Sequence, residues 1–191
     1  MANELPSIPT HRFLTFLGSI RPPQSNNFRA GLLSMVNEGA KQITILFASD
    51  GGSTDDGIAL YTFLKALPIE LTMHAVGNVS SSALPVFLAA PNRLASHNAH
   101  FFFHNYTWSN GTPETVSDRT LSERSLLLAA ALDWTREVIK ASTNITDQDF
   151  DSLKLFDQPV LIEPSRAAQY GLITRIEEPL IPAGSQPRVV T

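Results

Sequence analysis

Three stretches of this chain carry residue types that perform acyl transfer. The first is Val76-Gly77-Asn78-Val79-Ser80-Ser81-Ser82-Ala83-Leu84, entered from the apolar run at 69–76 and left through Pro85-Val86-Phe87-Leu88-Ala89-Ala90. Small residues at such a strand-to-helix corner place a hydroxyl at a helix N-terminus. There unpaired backbone N–H groups and the positive dipole end favour a developing negative charge, as an acyl-transfer nucleophile requires. The second stretch is Ser49-Asp50-Gly51-Gly52-Ser53, between an apolar run at 42–48 and a helical pattern at 55–66. Adjacent glycines let a backbone N–H approach a ligand without side-chain interference. The third is His104, a candidate base that closes His100-Phe101-Phe102-Phe103. Each has a plainer reading when taken alone. A serine there caps a helix, two glycines mark a turn, and a lone histidine is structural.

The elements that must position these groups alternate between strand and helix patterns. Strands are predicted at 13–18, 42–48, 69–76, 93–95 and 99–104, and helices at 26–39, 55–66 and from Ser81 to about Ala90. This βαβα order predicts an α/β protein with largely parallel strands and right-handed crossovers, whose strand ends form the site. A long helix is predicted over 117–141. Leu121, Leu128, Leu132 and Ile139 share a face, and the apolar residues at 126–132 widen it. A helix apolar over so much of its circumference is expected to be buried on more than one side. An acidic first turn at 146–151 and Pro164 followed by Gly171 predict two short helices. The proline-rich tail at 179–191 is expected to fray.

Composition bounds the function. The 191 residues suit one domain, 1–191, with its core at about 12–176. Hydrophobic residues make up 43% and charged residues 17%, a globular balance. A net charge of −4 without a basic run argues against nucleic-acid binding. The absence of cysteine excludes a thiolate nucleophile, a disulfide framework and a cysteine zinc site. The first residues lack the basic and apolar regions of a signal peptide, and the apolar run at 126–132 is too short to span a bilayer. A cytoplasmic location is therefore expected.

In four motifs the chain resembles the proteolytic subunit of the Clp protease, a serine peptidase of the ClpP/crotonase fold. Residues 49–53 are similar to that family's Ser-Pro-Gly-Gly-Ser loop, and residues 77–83 to its Gly-x-Ala-Ala-Ser-Met-Gly motif. Residues 98–104 resemble its Asn-Ser-x-x-x-x-His, and residues 163–173 its Ser-Ala-Pro-Glu-Ala-x-x-Tyr-Gly-Leu-Val. The resemblance implies stacked ββα units with a protruding handle helix, the handle region falling at 108–155. Among Ser80, Ser81 and Ser82 it selects Ser81 as nucleophile. It makes His104 the base, with His100 as runner-up, and the N–H groups of Gly52 and Ser82 the oxyanion hole. The family's acid position falls on Pro159, so Asp157, two residues earlier, is the expected third member. Failing it, a backbone carbonyl, Gln158 or Glu163 would hold the imidazole. A second departure is Ala83 where the family has glycine; a methyl there would crowd the substrate. The resemblance also implies heptameric rings that stack, an ATP-driven unfoldase partner, peptide or unfolded-protein substrates, and no metal or organic cofactor. Two alternatives are an impaired subunit that only builds a ring and a crotonase-type acyl-CoA enzyme. The Ser81/His104 register and the lack of a catalytic glutamate in these loops argue against the latter.

Overall fold

Alternating burial along Gln42–Ser49 (β2) turns Ile43, Ile45 and Phe47 inward, the period-2 signature of a strand. The computed structural model describes residues 10–107 and 117–190, so the turn-rich segment at 108–116 lies outside the described residues. The chain runs β1 (His11–Leu17), α1 (Gln24–Asn37), β2, α2 (Thr54–Lys65), β3 (Glu70–Ser80), α3 (Ala83–Leu88), β4 (Asn92–Ala95) and β5 (His100–Phe103). It continues with α4 (Asp118–Ser142), α5 (Asp147–Leu153), β6 (Val160–Ile162), α6 (Pro164–Gln169), β7 (Arg175–Ile176) and β8 (Arg188–Val190). The strand order is β6-β5-β3-β2-β1-β8, with β4 and β7 branching from β3. The described pairings are parallel except that between β5 and β6.

The eleven-residue β3 is the hub, longer than the predicted run because it continues to Ser80. One edge pairs with β2. The other is shared, Thr72–Ala75 with β4 and Asn78–Ser80 with β5. That division sends the end of β3 toward the end of β5. A train of buried phenylalanines fixes the layers. Phe28 of α1 meets Phe16, Phe16 stacks on Phe47, Phe47 meets Phe87 of α3, and Phe87 meets Phe101. Each such ring buries a large apolar area and orients its neighbour.

Two sequence expectations change. The first two thirds of α4 are mostly exposed, and within this chain only Thr135, Val138 and Ile139 are buried. Leu121, Leu126 and Leu127 are 52%, 72% and 62% exposed, and the helix meets the core only further along, where Leu132 and Trp134 pack against it. The tail does not fray throughout, since Arg188–Val190 adds β8 in parallel to β1. Arg188 holds it there, donating to the Gly31 carbonyl at 3.0 Å and to Glu38 at 3.2 Å. Glu38 also pairs with Arg12, and hydrogen bonds from Ser34, Arg12 and Arg188 hold its carboxyl down at about 2.

Segment 174–178 is strapped to the sheet through buried His74, whose Nε2–H donates to the Glu177 carbonyl at 2.8 Å. Burial pushes the His74 pKa below its ordinary 6.5, against the upward pull of Glu177 and Glu178. The unfolded chain therefore takes up the proton first as pH falls, and stability is lost from about 6.5 downward until the lowered native value is reached. Urea midpoints for the wild type are expected to drop between about pH 7.5 and about pH 5.5. His74→Gln, which keeps a donor and removes the titration, should drop less.

Candidate active site

Ser81 is the hinge of the β3–α3 corner. Its φ is +57, a left-handed backbone that non-glycine residues rarely adopt. Its N–H donates to the Phe102 carbonyl of β5 at 3.3 Å, and its own carbonyl accepts from Leu84 at 3.0 Å. Strain of this kind persists where the surrounding structure over-determines it. Here that surrounding is Gly51. A Cβ at Gly51 would lie 2.8 Å from Ser80 O and 2.8 Å from Ser81 Cβ, so only glycine lets the two corners touch. The cap reading of the serines fails: Ser82 is the N-cap of α3, and no side-chain cap bond forms.

Ser81 is 8% exposed, and its hydroxyl has no hydrogen-bond partner among the described residues. Nor does the N–H of Gly52 or of Ser82 reach an acceptor among them. At the Gly52 corner the neighbours are taken. Ile20 N–H donates to Gly51 O at 2.9 Å, and Ser53 N–H to Ile20 O at 2.7 Å. Gly51 N–H donates to the Ser49 hydroxyl at 3.1 Å, and Ser53 caps α2 through Asp56 N–H. What remains free is a serine hydroxyl and two backbone donors on facing corners, a suitable set for a nucleophile and an oxyanion. The Ala83 methyl is fully buried in the core.

His104 follows β5 directly, and the pairing Ser80↔Phe102 sets it one step beyond the level of Ser81 on the neighbouring strand. It is half-buried, and its Nδ1–H donates to the Asn105 carbonyl at 2.8 Å. A carbonyl only accepts, so this bond holds the proton on Nδ1 and leaves Nε2 as the basic nitrogen of the neutral ring. No hydrogen bond joins His104 to Ser81 among the described residues; catalytic bonds are often long before substrate binds. His100, the runner-up, starts β5 opposite Asn78, at the other end of the strand.

No hydrogen bond or ion pair joins Asp157, the expected third member, to His104 among the described residues. Asp157 is exposed, and its carboxylate meets no partner among the described residues. The reason lies in its neighbours. Phe156 is buried against Phe103, Tyr106 and Phe150 with φ +71, and Asp157 N–H closes a turn onto Lys154 O at 3.1 Å. Anchoring Phe156 turns Asp157 outward. The antiparallel register Phe103↔Val160, extended one step, sets Pro159 opposite His104, and proline has no side-chain acceptor there. The acceptor that His104 Nδ1–H meets is instead the Asn105 carbonyl. No residue type signals that in sequence, because every residue carries a carbonyl.

A largely parallel sheet whose hub strand ends in a serine elbow beside a Gly-Gly corner defines a protein of the ClpP/crotonase-like fold. Consistent with that class, the chain is similar to the solved structure of a ClpP1 mutant from Listeria monocytogenes. The TM-score is 0.76 and the identity 18%, over 88% of this chain and 92% of that chain. The Clp protease family model matches residues 5–179, and the chain belongs to that family. No curated protein sequence matches it. Among the described residues no helix is long and apolar enough to cross a membrane, and no group of three His, Asp or Glu is placed to hold a metal ion.

Proposed function

We propose that this chain is a Clp-like serine endopeptidase. The observation that carries the reading is the strained Ser81 corner, where a hydroxyl and two nearby backbone donors have no partner among the described residues. Ser81 Oγ attacks the peptide carbonyl carbon. Nε2 of His104 accepts the hydroxyl proton and later delivers it to the leaving amine. The N–H groups of Gly52 and Ser82 hold the oxyanion. Water then repeats the attack on the acyl-enzyme and frees Ser81. The Asn105 carbonyl, in place of Asp157, keeps the imidazole in its working tautomer. Labelling with a serine-reactive phosphonate followed by mass mapping tests this, with Ser81 as the expected site. No label on Ser81 would favour the second reading, an impaired ring-building subunit, which the lack of a carboxylate at His104 supports.

The acid position gives a sharper check. Asp157→Asn is expected to change turnover less than about threefold, because its carboxylate has no hydrogen-bond or ion-pair partner among the described residues. Pro159→Asp sets a carboxylate at the register position opposite His104 and is expected to raise turnover at least ~10-fold, since the orienting acid is worth up to ~10⁴ in the reference triad. Peptide hydrolysis by both variants measures this.

The same reading carries self-association into rings, heptamers or stacked heptamers, and an ATP-driven unfoldase. The bare leucines of α4 support it, since such a stripe is a partner surface. Leu126→Glu is expected to leave the melting curve of the subunit near wild type and to lower the assembly mass in light scattering. A monomeric wild type would count against rings.

A further inference from the structure

We propose that Asp50 forms an acidic subsite beside Ser81 that selects substrates carrying Lys or Arg next to the scissile bond; this rests on the peptidase reading above. A cavity of about 270 Å³ opens at the C-terminal ends of β1, β2 and β3, lined by Leu17, Gly18, Ser19, Ser49, Asp50 and Asn78 among others. It is smaller than a typical ligand pocket and suits one side chain. Among the described residues Asp50 is the one charged residue lining it. Asn78 Nδ2 donates to Asp50 Oδ1 at 2.7 Å, which fixes the carboxylate over the cavity. Its other oxygen meets no partner among the described residues, so an accepting site stays open. Leu17, 59% exposed, supplies an apolar wall. An acid at the head and an apolar wall along the side match the charged tip and aliphatic stem of Lys or Arg.

Position ties this cavity to the chemistry. Asp50 immediately precedes Gly51, whose backbone abuts Ser80 and Ser81, and Asn78 lies three residues before Ser81 on β3. One residue step separates Asp50 from the glycine that touches the nucleophile. A plain turn or cap role is already filled by others, since Ser49 accepts from Gly51 and Ser53 caps α2. The Asp50–Asn78 pair is thus free of structural duty toward that helix.

The test uses three fluorogenic peptides that differ only in Lys, Gln or Glu beside the cleaved bond, on either side in turn. Wild type is expected to give a kcat/KM for Lys roughly fivefold or more above that for Glu, the scale of an exposed ion pair, shrinking as salt rises. Asp50→Asn should bring the three rates together, and Asp50→Lys should invert the order. A parallel measurement follows binding of the labelled Lys and Glu peptides to Ser81→Ala, where turnover plays no part. Hydrolysis with no charge preference in wild type overturns the subsite and leaves the peptidase reading standing. Preferential Lys binding with no hydrolysis by wild type does the reverse. Equal binding of both peptides, or binding of neither, overturns the subsite. If Asp50→Asn fails to melt like wild type, Asn78→Ala replaces it, and an undiminished Lys preference there overturns the pairing.

Discussion

Ser81→Ala is expected to reduce peptide hydrolysis by at least ~10³-fold while the protein keeps its melting temperature. The nucleophile of a serine peptidase acts as a unit with its base, so removing the hydroxyl leaves only binding and the oxyanion hole. Stability holds for two reasons. The Ser81 hydroxyl makes no hydrogen bond among the described residues, and alanine meets the same left-handed strain that serine already bears. The neighbouring serines give the contrast. Ser82 Oγ is buried and unpartnered, so Ser82→Ala removes an unsatisfied group and should raise stability by about 1 kcal/mol, with activity retained because only the Ser82 N–H is used. Ser80→Ala should also stay active. Full activity in Ser81→Ala would sink the assignment.

Gly52→Ala is expected to cost at least ~2 kcal/mol and roughly 10²–10³-fold in turnover. A Cβ at Gly52 would stand 2.3 Å from Ile20 O and 2.9 Å from Ile20 C, with φ at +155. Both atoms belong to the backbone of the Ile20–Gly52 bridge, so no side chain can swing away. The corner must move, and the free Gly52 N–H moves with it. Gly39→Ala is the control. Gly39 has φ +91 but nothing within 4 Å of its Cβ position, so it isolates the conformational penalty, about 1 kcal/mol, without touching the site. Denaturant melts and peptide hydrolysis of the pair separate the two effects. Equal losses in Gly52→Ala and Gly39→Ala would remove the contact argument.

Periodicity and local chemistry determined much of this protein without any structure. Alternation at 42–48 and the apolar face of 26–39 mark a strand and a helix, since burial of one face is a local property of the pattern. The α/β class, the parallel bias and the three corners at Gly51–Gly52, Ser81 and His104 follow from the order of such segments. Tertiary structure alone decided which groups meet. Asp157 has the right chemistry in nearly the right place, yet burial of Phe156 turns it outward and the β5–β6 register brings Pro159 opposite His104. The imidazole is held by the Asn105 carbonyl, a group that composition does not distinguish. Arg188 anchors a tail that proline content marks as loose, through partners about 150 residues away. The width of apolar surface on α4 is legible in sequence, but what covers it is not, because a stripe of apolar residues does not say which surface meets it.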